Sequence, residues 1–243
     1  MTANEPSGEL ELTLRLPSTS VPLDRVVVAT VELAAVASAA RVSARLNLIE
    51  GDLQIDVTAA GGRTVRCAWP WPVDAAPRSV ELAPGERLVA AVPLLATDTS
   101  QPLFPAPGRY ELVARFSAGG GRELTSAPVP LTRTAAVDDG IATDLRDRDV
   151  LQSLLSGGVM GGAGEALDRL TQSPDAATVA FADVALERTD ALAAAAGESA
   201  VALAVGAVLP PDATGPDPRR DAVLGSAPRE TRAALTGTPL SGS

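Results

Sequence analysis

The stretch Arg66–Asp74, RCAWPWPVD, gathers the only cysteine and both tryptophans of the 243-residue chain, with prolines between them. Three chemistries could come from such a cluster: a nucleophilic thiol, an aromatic platform for a ligand, or the packed end of a strand. A thiol becomes a nucleophile when a base or cation stabilises its thiolate. The chain has no histidine, and its rows contain no lysine, so all 20 basic residues are arginine. This removes Ser–His–Asp and Cys–His systems, Ser–Lys dyads, Schiff-base lysines, the P-loop lysine and histidine-containing zinc sites. Cys67 is in phase with Val65 and Trp69, on the inward face of its strand, and reads as a small hydrophobe.

Trp69 and Trp71 flank Pro70 and can project to the same side of a strand end. Either they plug and cover the rim of a core, or Trp71 and Pro72 stand out as an aromatic–proline surface for a sugar, a peptide or a partner chain. A second segment with binding character is TDTSQPLFPAPG, where Leu103 and Phe104 lie between prolines, as on a presented loop.

Asp138, Asp139, Asp144, Asp147 and Asp149 form an acidic cluster that could hold a hard cation, although no EF-hand loop pattern is present. Its plainer reading is a helix-capping, solvated hinge. SGGVMGGAGEAL, Ser156–Leu167, places glycine pairs ahead of a helix and could cradle an anion, but it lacks G-x-x-x-x-G-K-[ST]. No pair of acids has the aromatic-lined context of a glycoside-cleaving site. Neither a metal nor a cofactor is expected.

The elements that must carry these residues change character along the chain. The first half alternates with period two: Leu10, Leu12, Leu14 and Leu16; then Val27, Ala29, Val31 and Leu33; then Leu88, Ala90, Val92 and Leu94; then Tyr110, Leu112, Ala114 and Phe116. AAGG at Ala59–Gly62 turns one strand into RTVRCAW as a hairpin. Pro128 and Pro130 place the last strand at an edge. About nine short strands result. After Thr134 helical spacing takes over, with Asp149 and then Ser173 as helix caps and Pro174 at a first helical position. Up to Arg133 there are twelve arginines against fourteen acids, and beyond it eight against sixteen.

LAPGERL, PGRYELVARF and the closing SAPVPLTR resemble bacterial immunoglobulin-like or fibronectin-III-like domains. The resemblance implies a disulfide-free sandwich in which the Tyr110 hydroxyl bonds back to nearby backbone. Such modules usually bind, space or present. Small intracellular proteinase inhibitors are a narrower relative in pattern.

The expected fold class is thus an antiparallel, immunoglobulin-like β-sandwich of about nine strands, followed by a small all-α domain and a disordered C-terminal tail. The expected divisions are 8–134 for the sandwich, 135–148 for an acidic hinge, 149–209 for Ala-rich helices, and 210–243 for a linker, a possible short helix and the tail. The expected function is non-catalytic protein binding or assembly, through Trp69, Trp71, Pro72, Leu103 or Phe104. A proteinase-inhibitor-like module is the alternative and a hydrolase the third reading. With a net charge of −10, nucleic acid is disfavoured as a partner. The Ala191–Leu209 run, interrupted by Glu198 and Ser199, reads as buried helix rather than membrane span. No secretory signal is visible and a lone cysteine forms no internal disulfide, so a cytoplasmic setting is expected.

Overall fold

A computed structural model describes residues 9–71, 76–209 and 217–241. Eleven strands come first: β1 (Leu10–Arg15), β2 (Ser20–Pro22), β3 (Val28–Ala35), β4 (Ala40–Ser43), β5 (Leu53–Ala59), β6 (Thr64–Cys67), β7 (Ser79–Leu82), β8 (Glu86–Pro93), β9 (Gly108–Gly119), β10 (Arg122–Thr125) and β11 (Val129–Thr134). Eight helices follow: α1 (Asp139–Asp144), α2 (Arg148–Ser156), α3 (Gly164–Leu170), α4 (Ala176–Ala185), α5 (Thr189–Ala194), α6 (Ser199–Val208), α7 (Pro218–Leu224) and α8 (Arg229–Thr236). A twelfth strand, β12 (Leu240–Ser241), comes last.

The strands form three sheets. One runs β1-β3-β8-β12; a second runs β2-β11-β9-β5-β6 with β10 also on β9; the third is the pair β4-β7. Alternation decides which side chains go inside. Tyr110, Leu112, Ala114, Phe116 and Ala118 of β9 are buried, while Arg109, Glu111, Arg115 and Ser117 are exposed. They meet Leu12 and Leu14 of β1, Val31 and Leu33 of β3, and Ile55 and Val57 of β5 in one core. The β5–β6 hairpin turns at Gly61, whose φ of +69° suits glycine, and pairs Ile55 with Cys67. The Tyr110 hydroxyl donates to the Ala106 carbonyl at 2.7 Å.

A second core lies between the strands and the helices. Val28, Ala91, Leu95 and Ala96 pack with Leu154, Phe181, Val184, Val201 and Val205. Strand β8 is therefore buried on both faces: Leu88 and Val92 face the first core, Ala91 the helices, and Val89 packs with Ala233, Ala234 and Leu240. Helix α6 is apolar almost all round because α4, α8 and β8 enclose it. Among the described residues no helix is long and apolar enough to cross a membrane.

The expected sandwich followed by an all-α domain and a disordered tail is therefore corrected. The twelve strands include a parallel pair, β2 with β11. The helices share a core with strand residues, and β12 returns from the presumed tail to pair with β8, Leu240 opposite Arg87. The chain forms a mixed α/β fold. Other expectations shift locally. β11 lies between β9 and β2 rather than at an edge; β2 reaches only Thr132–Thr134, so the part carrying Pro130 is paired on the β9 side alone and needs no second ladder. Within the expected Ala-rich helices, α4 ends before Glu187, whose φ is +57°, and the chain turns helical again as α5. The short helix expected within 210–243 is two helices, α7 and α8, and residues 210–216 of the expected linker fall outside the described residues.

Candidate functional site

Cys67 is 2% exposed, with its Sγ 3.4 Å from the Pro93 carbonyl oxygen. Burial pushes its thiol up to about 12, so no thiolate is available at neutral pH. Trp69 and Trp71 are half-buried and meet edge to face, ring centroids 5.0 Å apart. Trp69 packs against both cores and Trp71 against the helical one, so neither ring stands free as a platform. Pro72 lies outside the described residues.

Leu103 and Phe104 are buried, at 2% and 7% exposure. The Leu103 amide donates to the Leu95 carbonyl, and the Phe104 ring meets Tyr110 edge to face at 5.0 Å. These two side chains are core, not the tip of a presented loop.

The acidic cluster is consumed by the local structure. Asp138 caps α1 by accepting from the Gly140 and Ile141 amides, and Asp147 caps α2 through the Asp149 and Val150 amides. Asp144 pairs with Arg169 through two bonds, 2.7 and 3.0 Å. Asp149, expected as the cap, accepts instead from the Gly162 amide, so the glycine loop cradles the chain's own carboxylate. Asp175 rather than Ser173 caps α4, with the Thr178 amide donating at 2.9 Å. No three potential metal ligands stand together among the described residues.

A recess lies elsewhere, where the β4–β7 ribbon faces the turn between β9 and β10. It has a volume of about 830 Å³, and four arginines line it: Arg41, Arg45, Arg78 and Arg122. Arg45 is held by Asp52, Nε to Oδ2 at 2.8 Å and Nη2 to Oδ1 at 2.5 Å, and Ser43 donates to the same carboxylate at 2.6 Å. The hydrogen bond to Asp52 raises the Arg45 pKa further. Arg78 clasps Glu50 at 2.7 and 2.9 Å, and Asn47 braces that carboxylate at 2.6 Å. This wall is rigid, its cations already neutralised.

The other two cations are oriented but not neutralised. Arg41 uses Nε on the Ser79 hydroxyl, and Arg122 uses one Nη on the Arg41 carbonyl at 3.1 Å. Neither makes an ion pair with a carboxylate within 4.0 Å among the described residues; Arg41 is exposed and Arg122 half-buried. Gly119, Gly120 and Ser117 leave the opposite side open to an approaching main chain. The arrangement can grip carboxylates or phosphates through forked N–H groups. Of the carboxylates here, Asp52 is held by Arg45 and Glu50 by Arg78, while Glu81, opposite Arg41 in the β4–β7 register, also lines the recess.

No family model matches the chain, and no curated protein does either. Among solved structures it is similar to the sporulation control protein Spo0M of Bacillus subtilis, at 15% identity over 57% of this chain and 54% of that one, with a TM-score of 0.32. It is also similar to β-glucosidase EmGH1 of Erythrobacter marinus, at 14% identity over 52% of this chain and 16% of that one, TM-score 0.31. A β-glucosidase of Listeria innocua gives 16% identity over 54% of this chain and 17% of that one, TM-score 0.32. The chain thus spans little more than half of Spo0M and under a fifth of either glucosidase. At such TM-scores these likenesses contribute nothing to the functional reading.

Nothing local in the residues marks this recess. Arg41, Arg45, Arg78 and Arg122 sit on four segments of the chain. Pairing of β4 with β7, Val42 opposite Val80, and of β10 with β9, Arg122 opposite Gly119, brings them to one surface.

Proposed function

We propose that the chain is a non-catalytic protein-binding module whose arginine groove takes an extended, acidic segment of a partner protein. The observation that carries this reading is the pairing of two neutralised arginines with two that keep open donors along one recess. A chain of net charge −10 repels acidic partners over most of its surface, so cations gathered at one groove select where such a segment docks. The absence of lysine and histidine and the burial of Cys67 support a binding role over an enzymatic one. A cytoplasmic setting belongs to the same proposal and rests on the single, unpaired, buried thiol.

Fluorescence anisotropy with a labelled oligoglutamate peptide tests it. Binding is expected to weaken steeply with salt, and replacing Arg41 and Arg122 together by alanine should raise Kd about tenfold or more. Equal affinity for a neutral peptide, or for the doubly substituted protein, would sink the reading.

A further inference from the structure

A second cluster of arginines lies where strands meet helices, Arg133 buried, Arg25 half-buried and Arg146 exposed. A cavity of about 30 Å³ is lined by Arg25, Arg133 and Arg146, with Leu94, Phe104 and Leu145 among the apolar remainder. No acidic residue lines it among the described residues. Arg133, on β11, is only 4% exposed. One of its Nη groups donates to the Arg25 carbonyl at 2.9 Å, and its guanidinium carbon lies 5.2 Å from the centre of the Phe104 ring. Its Nε and Nη1 are buried with no hydrogen-bond partner among the described residues, and so is Nε of Arg25.

We propose that this cavity binds a single small anion of chloride size, held by Arg133 and Arg25 with Arg146 at its rim. Three features choose an anion over other occupants. The lining side chains offer hydrogen-bond donors and no acceptors, which suits an anion better than a water that must also donate. A buried guanidinium is costly without a counter-charge, and Arg133 makes no ion pair among the described residues. Asp24 and Asp175 act on it only through space, and burial pulls its pKa down to about 10 despite them. Asp24 is itself buried, with one oxygen accepting from the Asp138 amide and the other unpartnered, but it does not line the cavity. Its volume of about 30 Å³ matches about one water-sized species.

The experiment compares thermal unfolding of the full chain in sodium chloride and in sodium gluconate at equal ionic strength, and collects anomalous diffraction from crystals soaked in bromide. With chloride at about five times its Kd, Tm should rise by about 2–4 °C. One bromide peak should lie within hydrogen-bond reach of Arg133. Arg133→Met should abolish the chloride dependence. If that variant does not fold, Arg146→Ala, at an exposed position, should weaken chloride about tenfold while the fold survives. A Tm indifferent to chloride, or a cavity holding water alone in bromide, would overturn the proposal.

Discussion

The carboxylate of Asp149 sits where a side chain on Gly161 would have to be. Its Oδ2 accepts from the Gly162 amide at 3.1 Å, and a Cβ built on Gly161 would fall 2.1 Å from the same oxygen. Gly161 also has φ of +51°, which favours glycine. The interhelix loop is thus shaped around an anion that the protein supplies itself.

Replacing Gly161 by alanine should therefore cost about 2–3 kcal/mol, from left-handed strain plus displacement of the carboxylate. In an Asp149→Ala background the same replacement should cost only about 1 kcal/mol, the strain alone. Urea unfolding of the four proteins measures the difference; purely additive losses would show that carboxylate and glycine are uncoupled.

Tyr110 anchors the start of β9 through its hydroxyl. Tyr110→Phe keeps the ring contact with Phe104 and removes one hydrogen bond, so a loss of about 1 kcal/mol is expected, seen as a Tm lower by about 2–4 °C. An unchanged Tm would mean that the bond to Ala106 contributes nothing net.

The buried thiol makes stability depend on pH in the alkaline range. Its folded pKa lies at about 12 against an ordinary 9.0, so from about pH 9 upward the unfolded chain releases a proton that the folded chain keeps. Unfolding is then favoured as pH rises, by up to about 1.4 kcal/mol per unit between those values. Stability is unaffected by this group below pH 9. Cys67→Ala should remove that slope, and denaturation midpoints measured from pH 8 to 11 on both proteins would reveal it.

Trp69 touches both cores and Trp71 only one. Trp69→Ala should destabilise by about 2–3 kcal/mol and Trp71→Ala by about half as much, both less than a fully buried tryptophan because each ring is half-buried. Equal losses in chemical denaturation would contradict this division.

What could be read from residues alone follows the range over which a signal acts. The alternation in Tyr110–Phe116, the AAGG hairpin and the inward parity of Cys67 depend on neighbours in sequence, and each stands as expected. Helix caps were displaced by two residues because DRD and SPD each offer two capping side chains, and only packing decides that Asp147 and Asp175 take the amides. The unbroken apolar run LVAAVPLL did carry a sign of burial on both faces of β8, but alternation within it suggested one face. The arginine groove had no local trace, since each of its residues alone reads as a solvated charge. A strand of two residues, Leu240–Ser241, is too short to announce itself beside Gly237.

β12 has a consequence for how the protein is made. It completes the sheet that β1 begins, and Ser241 reaches Glu86 across 155 residues of sequence. While the chain emerges from a ribosome, this border of β8 stays open until the 155 residues that separate Glu86 from Ser241 have been synthesised. Unpaired strand borders recruit foreign strands, and pairings this distant form slowly. Nascent chains should therefore need shielding by a chaperone until β12 is made, and trimming at Thr236 should leave the protein prone to associate through β8.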